Sequence, residues 1–110
     1  QQVALKDVEE VSIVIGHACA RVTGGHVWCW GDNGSKQIGN GAAGDLVLQP
    51  WEIDSIEDVR AIAAGSSSTC AIGGDHDVWC WGYNNNGELG DGTYTNSSTP
   101  VQVAWDPPLP

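Results

Sequence analysis

The residues best equipped for chemistry in this sequence are four cysteines, which form two pairs of equal spacing: Cys19 with Cys29 and Cys70 with Cys80. Three readings compete for them. Zinc ligands cluster in short Cys-x2–4-Cys steps, which a ten-residue separation does not offer. Reduced thiols would pack as small apolar side chains. Disulfides need facing positions on adjacent strands. Thr23-Gly24-Gly25 and Gly74-Asp75-His76 are turn-type triplets, and three-residue hairpin loops there set Cys19 opposite Cys29 and Cys70 opposite Cys80. Opposed strand residues have Cβ atoms about 4.5–5.5 Å apart, so a modest local squeeze permits the bond. Closing a loop of about ten residues contributes roughly 2–3 kcal/mol. Disulfides are the expected outcome, and they point to an oxidising compartment: an extracellular, secreted or cell-surface location. Neither a metal nor any other cofactor is expected.

Other chemistry is thin. His17, His26 and His76 have no Ser or Cys at a spacing that marks a nucleophile. The carboxylates are scattered: Glu9-Glu10 sit at a strand margin, and Asp75 and Asp77 are accounted for by a turn. General acid/base work needs two groups converging in a partly dry pocket, and no pair recurs in both halves of the chain. No catalytic residue is assigned, and an enzyme is not expected. Asp32-Asn33-Gly34-Ser35 carries oxygen donors without EF-hand spacing, so a solvated loop is the simpler expectation. Asn33-Gly34-Ser35 and Asn96-Ser97-Ser98 match the N-glycosylation pattern, which makes Asn33 and Asn96 candidate acceptors in a secretory setting.

Composition narrows the partner classes. The chain has 110 residues, a one-domain length, with no Met, no Phe and six Trp. Four Lys and Arg against fourteen Asp and Glu give a formal charge of −10. That balance leaves too few cations to displace phosphate counterions, so nucleic acid is excluded as an expected partner, and anionic membrane surfaces are disfavoured. The longest apolar run, residues 11–15, is far too short for a membrane span. The chain opens Gln1-Gln2 without a Met or a signal-peptide pattern, which reads as a processed or excised segment.

The elements that must position these residues emerge from an internal repeat. At a shift of 51 residues, Asp7-Val8 falls on Asp58-Val59, Cys19-Ala20 on Cys70-Ala71, and Val27-Trp28-Cys29-Trp30-Gly31 on Val78-Trp79-Cys80-Trp81-Gly82. Ile38-Gly39 falls on Leu89-Gly90, after which the register slips to 50 and Pro50 meets Pro100. Two units result, residues 2–52 and 53–103, followed by a Pro-rich tail, 104–110. Strands are expected at 18–22, 26–31, 58–64, 68–72 and 77–82, with Gly-rich loops over 32–44 and 83–98. A last strand in each unit is expected to begin at Pro50 or Pro100, because a strand's first position tolerates a missing N–H. Four short strands per unit of about fifty residues is the arithmetic of a propeller blade.

The unit resembles the regulator-of-chromosome-condensation repeat. The likeness rests on Val59, Ile62 and Gly65, then Thr69-Cys70-Ala71, then Val78-Trp79-Cys80-Trp81-Gly82, and finally Asn84 with Gly87-Glu88-Leu89-Gly90-Asp91-Gly92-Thr93. The first unit departs from it, with Val14 where the second has Gly65 and with His17 displaced towards Cys19. The resemblance implies an all-β fold of two four-stranded propeller blades, short of the seven the family usually builds. It implies a binding surface rather than a particular chemistry, since members include an exchange factor for a small nuclear GTPase, secreted inhibitors and receptor ectodomains.

Within such blades Trp28, Trp30, Trp79 and Trp81 alternate with Cys on one strand face, and their recurrence in both units suits a packing layer between blades better than a ligand platform. Trp51 and Trp105 break the repeat and are candidate exposed contacts, as are loops 33–44 and 84–98. A blade cannot bury its faces alone. The expected function is therefore a non-enzymatic extracellular structural or binding module, self-assembling through blade edges into a ring or filament. The alternative is a fragment of a larger secreted or cell-surface propeller that binds a protein, such as a receptor ectodomain or enzyme inhibitor. A GTPase exchange factor is a remote third, disfavoured by the acidic charge and the paired cysteines.

Overall fold

The hairpin triplets and the Cys-Trp alternation produce two copies of one antiparallel sheet. The computed structural model describes residues 5–41, 46–74 and 76–103, so Asp75, Trp105, the 104–110 tail and part of the first long loop fall outside it. The first sheet contains β1 (Val8–Val14), β2 (His17–Val22), β3 (His26–Gly31) and β4 (Val47–Glu52). The second contains β5 (Val59–Ala64), β6 (Ser68–Gly73), β7 (Val78–Gly82) and β8 (Ser97–Gln102). Each is an up-and-down meander whose spatial order follows the chain. No helix is present among the described residues.

Register follows from the turns. Val22 pairs with His26 across the first tight loop, which brings Cys19 opposite Cys29; in the second sheet Ile72 pairs with Val78 and Cys70 with Cys80. The outer strands correct one expectation. β4 and β8 begin three residues before their prolines, at Val47 and Ser97, so Pro50 and Pro100 lie inside strands. An edge strand tolerates this because half of its N–H groups face away from the sheet. The pairing of β3 with β4 also lapses between Cys29 and Gly31, and that of β7 with β8 between Cys80 and Gly82.

The hydrophobic core lies between the two sheets. Cys19, Val27 and Cys29 from the first sheet meet Ile62, Ala71 and Trp81 from the second, and the seam is closed by Ile38 from the first long loop and by Ile53 and Ile56 from the connector. Each sheet thus has two unlike faces, one carrying tryptophans and small residues and the other carrying the disulfide. The disulfide face of the first sheet is stacked on the tryptophan face of the second. Stacking is head-to-tail, and it leaves the Trp28 and Trp30 face at one end and the Cys70 and Cys80 face at the other.

Candidate interaction surface

Both cysteine pairs are bonded, with Cα atoms 4.1 Å apart in each case. Their surroundings differ. Cys19 and Cys29 are fully buried in the seam, whereas Cys70 is only half-buried on the uncovered face of the second sheet. Among the described residues no cysteine is free and no group of three or more His, Cys, Asp and Glu is placed to hold a metal ion.

The tryptophans divide in the same way. Trp81 is completely buried in the seam, and Trp79 packs against the same core. Trp28 and Trp30, at the matching positions, are only half-buried on the opposite end. Around them Val11 and Ile13 stand exposed, Ile13 at 71%. A hollow of about 240 Å³ lies beside Trp30, lined by Ile13, Val14, Gly16, His17 and Ala18. Trp51 is exposed at 53% on edge strand β4.

A set of polar contacts crosses the seam, and no motif in the sequence announces it. The Ile62 amide donates to Glu10 Oε1 at 3.2 Å, and the Ala64 amide donates to Ser12 Oγ at 2.9 Å. Arg21 holds Glu10 in place, its Nε donating to the same oxygen at 3.2 Å. His17 Nε2 lies 3.0 Å from Thr69 Oγ1, and that hydroxyl donates to the Gln37 carbonyl at 2.7 Å. The threonine proton is thereby spent, so His17 Nε2 must carry its own hydrogen and donate it. Nδ1 is left as the bare nitrogen, buried and without a hydrogen-bond partner among the described residues. Burial lowers the His17 pKa below the ordinary histidine value, with Asp32 opposing more weakly.

The long loops are built from their asparagines. Asn84 is fully buried: its Nδ2 donates to Thr93 and Thr95 carbonyls at 3.0 and 2.9 Å, while its Oδ1 accepts from the Leu89 amide at 2.9 Å. Asn33 does the same work in the first unit, with Oδ1 accepting from the Ile38 amide at 3.0 Å and Nδ2 donating to Asn40 Oδ1. This corrects two expectations. Asn33 is buried and bonded, so it offers no place for a glycan on the folded chain. Gln37, Ile38 and Gly39 of loop 33–44 are likewise no free contact surface, because Gln37 and Ile38 are buried and Gly39 packs on the Trp81 indole, whereas Gly34 stays exposed. Asn96 is half-buried, its Oδ1 accepting from the Asn84 amide at 2.7 Å. The exposed part of the second loop holds Asn85, Asn86, Glu88 and Tyr94, with Tyr94 75% exposed at a hollow of about 330 Å³. A Thr93 hydrogen bond holds the Asp91 carboxyl below its ordinary pKa.

Comparison with known proteins decides the family. Two models of the regulator of chromosome condensation (RCC1) repeat match the chain, one over residues 8–37 and 59–88, the other over 24–72 and 75–108. The chain belongs to the RCC1 repeat family. Among RCC1-containing relatives, the Ultraviolet-B receptor UVR8 of Arabidopsis thaliana is 32% identical over 98 residues, which is 87% of this chain and 22% of UVR8. The human E3 ubiquitin-protein ligase HERC2 is 35% identical over 82 residues, or 73% of this chain and 2% of HERC2. Crystal structures agree on the fold. Prp20p from Saccharomyces cerevisiae superposes with a TM-score of 0.82 at 18% identity, over 93% of this chain and 27% of Prp20p. Human WBSCR16 gives 0.76 at 24% identity, over 89% and 26%. The RCC1 repeats described here thus span about a quarter or less of these relatives. Prp20p has been studied for its binding to Gsp1p and histones, and a further structure shows it with Kap60 bound.

Proposed function

We propose that this chain is a non-enzymatic, protein-binding part of an RCC1-type propeller that works in an oxidising compartment, outside the cell or on its surface. The observation that carries the binding role is the second long loop, which a buried Asn84 pins from within while it turns Asn86 and Tyr94 outward beside a hollow. A rigid loop with an exposed aromatic loses little entropy on binding, and Tyr is among the residues that carry interface energy. The protein partners of Prp20p lend support by analogy. Two within-sheet disulfides support the compartment, since thiols in the cytosol and nucleus are kept reduced. That chemistry, with the net charge of −10, weighs against a chromatin-associated exchange factor.

The uncovered sheet faces are covered, on this proposal, by further RCC1-type blades. The test is affinity capture from the fluid or cell surface of the source, comparing the chain with its Tyr94→Ala and Asn86→Ala variants. A protein retained by the parent chain and reduced about tenfold by either variant is the expected result. Identical retention on all three would remove the loop as the binding surface.

A further inference from the structure

Head-to-tail stacking raises the question of whether a second copy of this chain can continue the stack, and the repeat lets each seam contact be checked against its counterpart at the open ends. Where Glu10 and Ser12 accept amide hydrogens across the seam, the second unit has Ala61 and Ala63. Where His17 meets Thr69, a copy-to-copy junction would set Ser68 against Ala18. These side-chain contacts of the seam therefore have no counterpart at such a junction.

The steric difference is larger. Gly25 ends the first tight loop at φ 82°, its amide bonded to the Val22 carbonyl at 3.0 Å. Its carbonyl accepts from the Val59 amide of the next blade at 3.0 Å, and the approach is so close that a Cβ there would lie 2.7 Å from both Asp58 Cα and Val59 N. Those are main-chain atoms and cannot swing aside. The matching position in the second unit is His76, with φ 71° and its amide bonded to the Gly73 carbonyl at 3.0 Å, so its backbone is held as that of Gly25 is. On the receiving side Asp7 shares the left-handed geometry of Asp58, at φ 58° and 55°. An incoming first blade would thus press Asp7 and Val8 onto a Cβ and an imidazole where the seam tolerates only hydrogen.

We propose that His76, together with Ala61, Ala63 and Ser68, makes the open disulfide face of the second blade reject another copy of this chain. The face is reserved for a different RCC1-type blade, one with an apolar inner face and room opposite His76. The proposal rests on the blade-completion part of the function above and replaces the sequence-based expectation of a homotypic ring or filament.

Two measurements on the disulfide-bonded chain test it. Gly25→Ala is compared with Gly24→Ala, which shares a positive φ but would meet no main-chain atom within 3.4 Å. Gly25→Ala is expected to melt several degrees below Gly24→Ala and to red-shift Trp emission as the seam opens; equal melting would overturn the proposal. Sedimentation velocity then compares the parent with a graft carrying A18T, A61E, A63S, S68H and H76G. The parent is expected at one chain mass and the graft at multiples that grow with concentration, at least tenfold tighter in self-association. Parent multimers like those of the graft, or a graft that stays single, would overturn it. Loss of the loop's binding role would show only in the capture experiment and leaves these readouts untouched.

Discussion

At the scale of single residues, the two disulfides have the same covalent surroundings and different solvent access. Thiol–disulfide exchange needs an attacking thiolate to reach a sulfur. Dithiothreitol in native buffer is therefore expected to open Cys70–Cys80 first and to leave Cys19–Cys29 shut until the fold opens, which alkylation and peptide mass mapping will show; simultaneous loss of both bonds would refute the order. His17 supplies a second expectation. Its pKa is lowered in the fold, so the unfolded chain binds the extra proton more readily, and the stability that the neutral imidazole contributes is complete only above the ordinary histidine value. As pH falls through the ordinary histidine value and on towards the lowered one, that contribution is lost. The melting temperature should fall over this window, and the fall should be shallower in a His17→Gln variant, whose amide can still donate to Thr69. An unchanged slope would remove His17 as its source. Asn33 shows what single-residue signals conceal. In a Gly-rich polar stretch an Asn reads as solvated, yet a side chain that can both accept from and donate to nearby backbone is well suited to be buried as the organiser of a loop.

At the scale of elements, the sequence made the hairpins legible because turn triplets fix register and register fixes which cysteines face each other. It did not make the stacking legible. The central strands put Trp and Ala on one face and Cys and Val on the other, and strand alternation says only that two faces exist. Which face meets which is settled by bulk: the Trp81 indole fills the space left by the small disulfide face opposite. Trp81→Ala should accordingly cost about 3–5 kcal/mol as a buried Trp truncation. Trp30→Ala, at the matching position on a half-open face, should cost well under half of that. Urea denaturation followed by circular dichroism checks both, and equal costs would mean the two faces are equally covered. The start of each outer strand is hard to read for a related reason. A proline fits a strand's first position, but the lapse in pairing beside Trp30 and Trp81 lets Pro50 and Pro100 sit within one.

At the scale of the whole molecule, the clues to assembly lay in the differences between the repeats rather than in their likeness. Matching positions reveal the family and the blade. Mismatched ones, Gly25 against His76 and Glu10 against Ala61, become meaningful only once the seam shows which of them touch a neighbour. The seam also governs how the molecule bears load. Both covalent cross-links join neighbouring strands of one sheet, and none ties the first sheet to the second. Tension between the two blades is therefore carried across the seam by hydrogen bonds and apolar contact plus the single connecting chain, while each β2–β3 or β6–β7 hairpin stays locked. Under force such a molecule should part blade from blade before either central hairpin tears, and it should close again from two intact halves.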